Sequence, residues 1–258
     1  TALKNFYLNN AKVEYANPKA YAPYQPTYKN DGATSKVKNV ILLIGDGMGL
    51  AQIQAGLSAN FGQSNIINIK HVGLSRTEAS NSDFTDSAAG GTALATGHKT
   101  NNRYIGVDSL GASVANIPDR LATRDIVSGI ISNDRIIGAT PSAFYAHVQE
   151  RDLSDSIAHD LIDSKLSLVV GGFHPAVAKG NSSLCRQLEK KGFAIKSGVQ
   201  NLRSDAGERL MVFAEDGVSR TWDKLSNDQE NIRTEYRMIE HAFGPAVSFL
   251  QAKGGDKG

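Results

Sequence analysis

Short apolar runs rich in branched residues alternate along the chain with segments whose apolar residues recur at helical spacing. Val40–Ile44 is a continuous apolar run bounded by Gly45, and it predicts a buried parallel strand. A helical pattern follows from about Leu50 to Asn60. His71–Thr77 predicts another strand, which leads through a polar loop, Glu78–Phe84, into a helix opening at Ser87. Further on the pattern predicts helices over Ile117–Arg124, Ser154–Ser164 and Leu184–Lys191, and strands over Val127–Ser132, Leu166–Val170 and Leu210–Ala214. Arg233–Ala252 predicts a long amphipathic helix, with Tyr236, Ile239, Ala242, Phe243, Ala246, Val247 and Leu250 roughly on one side. Pro245 inside it predicts a kink or an early break. Strands alternating with helices argue for an α/β fold: a mostly parallel sheet with helices on both faces. No internal repeat interrupts the series.

Residues 1–36 are of a different kind. Tyr15, Tyr21, Tyr24 and Tyr28 alternate with Pro18, Pro23 and Pro26, and no period is sustained. Proline imposes extended or turn geometry, so this stretch is expected to be an arm packed on the surface of the domain formed by 37–258.

Composition narrows the class without naming a chemistry. The chain has 258 residues, 40% hydrophobic and 21% charged, enough for a real core in one large domain or two small ones. A net charge of +2 gives no sign of nucleic-acid binding or of an anionic membrane partner. No apolar run approaches the roughly 20 residues that span a bilayer. The single cysteine, Cys185, excludes an internal disulfide. No signal peptide is visible at Thr1, and the absence of an initiator Met fits a mature or trimmed product, so export stays open.

The candidate chemistry gathers in Thr85–Thr100, TDSAAGGTALATGHKT. Ala88, Ala89, Ala93 and Ala95 favour helix and Gly97 ends it, which puts Ser87 at or beside a helix N-terminus. Free backbone N–H groups and the helix dipole favour an anion there. A serine in that place can also be a plain cap. Small residues on every face argue for more than capping, since they admit close approach by backbone or ligand. This string resembles the nucleophile segment of the alkaline phosphatases, whose phosphorylated serine lies in an Asp-Ser-Ala-Ala context. VILLIGDGMG (Val40–Gly49), YIGVD (Tyr104–Asp108) and ATPSAFYAHVQER (Ala139–Arg151) match the family in the same order. The similarity runs from about Val37 to the end of the chain and is strongest before Arg151.

Hydrolysis of a phosphomonoester needs a nucleophile, a means of lowering its pKa, and positive charge for the non-bridging oxygens. Ser87 is the candidate nucleophile, and no histidine adjoins it in sequence to act as base. Metal coordination solves that by stabilising the alkoxide. The resemblance implies two zinc ions, one activating the serine and one the water that later cleaves phosphoserine. It implies that Asp46 holds the serine-side zinc and bridges towards a third, magnesium site, to which Thr140 contributes its hydroxyl. On spacing alone Asp46 ends a predicted strand, where a cap for the next helix is an equal use of an acid. Arg151 aligns with the arginine that grips phosphate, and Asp86 with the acid that orients it. A guanidinium offers planar two-pronged donors that lysine does not copy. The substrates implied are small phosphomonoesters, with inorganic phosphate as product, in a periplasmic or secreted enzyme. Homodimer and monomer are both left open.

Two departures from the family pattern stand out. Two residues before Thr140 the best-known members carry an acid or a histidine, and here the residue is Gly138. With no side chain to bind a metal or its waters, the third site is expected to be altered, filled differently or empty. Restoring an acid by Gly138→Asp is then expected to strengthen magnesium binding. The family's remaining zinc ligands, an acid–acid–histidine cluster, an Asp-His pair and a final histidine, fall beyond Gly258. The chain is therefore expected to be an N-terminal portion of the catalytic domain, with its sheet incomplete at the C-terminus. His98, His147 and His159 invite a ligand reading, although a buried structural histidine is expected for His147; His71, His174 and His241 lack ligand-like spacing. An inactive phosphate- or partner-binding fragment, and a phosphodiesterase or sulfatase of the same superfamily, are the alternatives.

Overall fold

The computed structural model describes residues 37–69, 71–172, 183–203, 207–213 and 229–255, with backbone alone for Asn68 and 229–237. The arm, His174 and the side chain of Tyr236 lie outside the described residues. Two compact units are present, one built on 42–75 and the other on 37–41 with everything from Arg76 onward.

The smaller unit carries α1 (Leu50–Ala59), opened by a tight turn in which Met48 N donates to Gly45 O at 3.2 Å. Gln52 Oε1 accepts the Gly49 N–H and so closes the helix entry. The strand expected at Val40–Ile44 is not formed. Val40 and Leu43 are 84% and 80% exposed, and among the described residues no strand pairs with them. A run without polar positions is stable as a strand only when neighbours flank it on both sides. Without them its branched residues stay in extended coil. His71–Thr77 likewise forms no strand and is exposed throughout.

In the larger unit the helices are α2 (Ser87–Thr96), α3 (Ile117–Ala122), α4 (Ala139–Ser142), α5 (Ser154–Asp160), α6 (Ser183–Lys190) and α7 (Gln229–Gly254). The strands are β1 (Gly129–Arg135), β2 (Leu168–Gly172), β3 (Phe193–Ser197) and β4 (Arg209–Phe213), in the order β1-β2-β4-β3 and all parallel. Strand period sorts the core into two layers. Leu168, Val170, Leu210 and Val212 face α7, meeting Met238, Ala242, Ala246 and Phe249. Val169, Met211 and Phe213 point the other way, into a larger layer with Ile157 and Leu161 of the α5 region and Leu184 and Leu188 of α6. Helices thus cover both faces, as the alternating pattern requires.

The long helix runs unbroken through Pro245. Pro245 and His241 are both exposed, so the carbonyl that loses its partner is next to water. Burial also falls one step away from the sequence-based face: Phe249 is fully buried, while Ile239 and Phe243 are each 37% exposed. β3, a short mixed-polarity strand, was not legible from periodicity.

The register of β1 breaks near its carboxyl end. Ile131 pairs with Val170 and Arg135 with Gly172, so four steps on β1 match two on β2. Residues 132–134 bulge out of the ladder, and Ser132 Oγ accepts the Asp134 N–H at 3.1 Å. Gly171 makes room for the bulge. A Cβ there would lie 3.2 Å from Asp134 O and 3.4 Å from Ser132 O, and within 2.8 Å of Ile136 Cγ2.

Candidate active site

Asp86 is the N-cap of α2: Oδ1 accepts the Ala89 N–H at 2.9 Å, and Gly97 closes the helix at φ 75°. Ser87 is therefore the first helical residue, half-buried, with the small side chains of Ala88 and Ala89 packed inside. The second carboxylate oxygen of Asp86 receives two donors from distant parts of the chain. Arg103 N donates at 3.1 Å and Arg151 Nη1 at 3.2 Å. Asp86 and Arg151 are 25% and 31% exposed at their side chains, so their pair is only partly screened by water.

Loop 101–103 is tied down around this carboxylate. Asn102 Oδ1 accepts the Asp86 N–H at 2.9 Å, its amide donates to Phe84 O, and its own N–H donates to Asn81 Oδ1. Arg103 adopts the left-handed region at φ 74°, a strained conformation for a residue with a side chain. Its guanidinium binds Glu150 through two hydrogen bonds and also pairs with Asp152. The hydrogen bond from Arg103 holds the Glu150 carboxyl below its ordinary range, and Glu150 in turn raises the Arg103 guanidinium above its own. The two acids flanking Arg151 in sequence are thereby engaged by another cation.

Three of the matched segments are joined by hydrogen bonds. Thr92 on α2 donates through Oγ1 to Tyr104 O at 3.2 Å and accepts the Gly106 N–H at 2.9 Å. Ile105 and Val148 exchange two backbone bonds of 2.8 Å each, which fixes the strand-like run that ends at Arg151. Thr140 lies on α4 against the same helix. A Cβ at Gly91 would stand 3.3 Å from Thr140 Cα and 3.3 Å from Ala143 Cβ, so α2 approaches α4 through a bare backbone. Gly91 is four residues beyond Ser87 and therefore on its side of the helix.

Ser87, Asp86, Arg151 and Thr140 thus belong to one compact unit, whereas Asp46 is an exposed residue of the other. Among the described residues no three His, Cys, Asp or Glu side chains gather into a metal shell. His147 is tied to backbone and carboxylate: its N–H donates to Asp160 Oδ2 at 2.7 Å and its Nε2 lies 3.1 Å from Val114 O. His98 and His159 are exposed, each with Nδ1 on a nearby carbonyl of its own helix region. The space beside Gly138 is taken. A Cβ built there would fall 2.8 Å from Asp134 Cγ and closer still to Oδ2.

Sequence reasoning missed Asn102, Arg103, Thr92 and Asp134. For Asn102 and Arg103 a signal existed, since they directly precede the matched YIGVD segment. For Asp134 the signal was an acid four residues ahead of the position where an acid is missing.

Comparison with known proteins gives the same answer by sequence and by fold. The alkaline phosphatase family profile matches residues 37–176. Alkaline phosphatase 4 of Bacillus subtilis is 30% identical over 208 residues, which are 74% of this chain and 45% of that protein. Escherichia coli alkaline phosphatase is 26% identical over 226 residues, 72% of this chain and 48% of the relative. The solved alkaline phosphatase from the Antarctic bacterium TAB5 superposes with a TM-score of 0.72 at 31% identity, over 83% of this chain and 62% of that one. A variant of the TAB5 enzyme with magnesium bound in its M3 site gives 0.71 at 30%, over 85% and 61%. The chain spans about half the length of these curated relatives.

Proposed function

Because this chain belongs to the alkaline phosphatase family, we propose that it is the nucleophile-bearing portion of a metal-dependent phosphate monoester hydrolase working through phosphoserine at Ser87. The observation that carries the reading is the double use of Asp86. One oxygen caps the helix that begins at Ser87, and the other holds the guanidinium of Arg151. A dianionic phosphoryl group set at this helix start meets N–H donors from the helix and the planar fork of Arg151 together.

The chain's own residues then have separate jobs. Ser87 Oγ gives its proton to solvent and attacks phosphorus in line with the leaving alkoxide, which departs with its bonding electrons and takes a proton from solvent. Arg151 balances charge on the non-bridging oxygens, where stabilisation in a phosphoryl-transfer transition state matters most. Water then attacks phosphorus, releases inorganic phosphate and returns the Ser87 hydroxyl. Zinc, when bound, supplies the lowered pKa that Ser87 and the water need. Asp46 and Ser87 are this chain's contributions to it. They do not complete a zinc shell, which needs at least three protein ligands. A magnesium site finds a better fit, with Thr140 on α4 and a carboxylate lodged beside Gly138.

Residues 37–258 are the catalytic portion in this reading and 1–36 its arm. The substrates are small phosphomonoesters, and the compartment is periplasmic or secreted. No helix among the described residues is long and apolar enough to cross a membrane. The test is to quench the completed enzyme, with its zinc ligands all present, in acid after exposure to a labelled phosphomonoester and map the labelled peptide. Label is expected on Ser87 and absent from Ser87→Ala. Label elsewhere, or none in zinc-loaded protein that still binds phosphate, refutes the reading and favours a binding module.

A further inference from the structure

The bulge at the end of β1 has a consequence for Gly138. Residues 132–134 leave the ladder, and Asp134 is the last of them before pairing resumes at Arg135. Its Oδ1 is fixed, accepting the Arg135 N–H at 2.7 Å. Its Oδ2 is turned back over Gly138, into the volume that a side chain on residue 138 would start from. Two glycines clear this arrangement: Gly171 beneath the bulge and Gly138 beneath the carboxylate. Bulges at strand ends commonly re-aim one side chain beside a site, and the carboxyl end of a parallel strand is where such sites lie.

We propose that Asp134 supplies the carboxylate ligand of a divalent-cation site of the magnesium class at the carboxyl end of β1, replacing the acid that position 138 lacks. Hard cations of this class take oxygen donors and keep several waters, so one carboxylate and a nearby hydroxyl are a reasonable protein contribution. Thr140, two residues after Gly138 and packed against the Ser87 helix through Gly91, is that hydroxyl. Asp134 is an exposed residue, and among the described residues its Oδ2 accepts no hydrogen bond, as a ligand oxygen requires. An acid at 138 would start in the space that Oδ2 occupies and push that flexible side chain aside, so Gly138→Asp exchanges one carboxylate for another and does not strengthen the site. The proposal takes from the phosphatase reading only the reason for a cation here. Its position rests on the bulge and the two glycines.

The test reads binding without turnover. Mn2+ replaces Mg2+ as the probe, followed by electron paramagnetic resonance in protein held in excess Zn2+ so that Mn2+ reports only sites zinc does not take, with Mg2+ as competitor. The unchanged chain is expected to bind Mn2+ at a site that Mg2+ empties. Asp134→Asn is expected to weaken that binding at least tenfold, and Gly138→Asp to give no gain. Asp134→Ala combined with Gly138→Asp moves the carboxylate across and is expected to bring affinity back to within about threefold of the unchanged chain. Circular dichroism on each variant separates loss of the site from loss of the fold. Mn2+ binding that Asp134→Asn leaves intact, or no Mg2+-displaceable Mn2+ in the unchanged chain, overturns the proposal. So does a folded double variant that fails to recover. Acid-trapped label on Ser87, measured in the same samples, decides the phosphatase reading separately.

Discussion

Thr92 is the point at which the Ser87 helix and the Arg151 segment are tied together, and replacing it by valine tests that tie. The side chain is fully buried, and its hydroxyl bonds both Tyr104 O and Gly106 N. Valine has nearly the same shape, so the packing survives and only the two hydrogen bonds go. The Gly106 N–H is buried and loses its acceptor, which costs about 1–3 kcal/mol as an orphaned donor. Tyr104 is half-buried, so its carbonyl recovers part of its loss from water, and the lost bond counts for roughly 1 kcal/mol. The sum is about 2–4 kcal/mol, or roughly 5–15 °C in melting temperature for a domain of this size. Thr92→Ser supplies the contrast. It keeps both bonds and deletes one buried methyl, at about 1 kcal/mol. Urea unfolding followed by circular dichroism ranks the two variants, and calorimetry with inorganic phosphate reads the site. Val is expected to be worse than Ser in stability, and to weaken phosphate binding because Ile105–Val148 pairing loses its anchor on α2. The reverse order, or a Val variant within 0.5 kcal/mol of the unchanged protein, would mean that the hydroxyl's bonds carry little of the tie.

Two further outcomes are expected. Asp86→Asn keeps an oxygen to cap α2 but turns an amide NH2 towards the Arg103 N–H and the Arg151 guanidinium, so stability should fall by about 1–3 kcal/mol while inorganic phosphate binds about tenfold more weakly; an unchanged Kd in calorimetry rules out the positioning role. Glu78, whose carboxyl is held down to about 2 chiefly by the hydrogen bond from Lys99, stabilises the folded state at pH values above its unfolded 4.5 and loses that contribution as pH falls towards 2. Melting curves of Glu78→Gln and the unchanged protein should therefore differ at pH 6 and converge near pH 2, and a constant gap refutes the assignment.

What the sequence revealed of the fold follows from which interactions are local. The helix at Ser87–Thr96 is written in its own residues, an aspartate cap at one end and a glycine in the left-handed region at the other. β2 and β4 were legible because both faces are buried, so their apolar runs are continuous. The same rule misread Val40–Ile44. An apolar run reports that burial on two sides is wanted, and only strand pairing supplies it. β3 failed in the opposite way: Lys196 and Ser197 lie at an exposed edge, so Phe193–Ser197 lacks the continuous signal. The early break allowed for at Pro245 does not occur, since the hydrogen bond it removes lies on an exposed face where water takes its place.

At the site, the sequence names residues but not the way they are joined. The motifs put Asp86 beside Ser87 and place Arg151 at the end of a matched string. Nothing in them says that one carboxylate oxygen caps the helix while the other holds the guanidinium. That division needs Arg103 in a left-handed turn and Asn102 bonded to three residues of the 81–86 stretch, contacts made over 16 to 21 positions of chain. The glycine at 138 shows the limit most clearly. Read alone, it is a ligand lost. Read with the bulge at 132–134, it is the clearance that lets a carboxylate from the strand before it reach the same space, and Gly171 makes the matching clearance underneath. A strand that keeps its register directs alternate side chains to opposite faces, so position 134 would be fixed to one of them. Two extra residues free it from that rule, and a side chain at 138 would displace the carboxylate from this place. The bulge and the glycine therefore act as one structural change, and a substitution at either alone should not reproduce what the pair does.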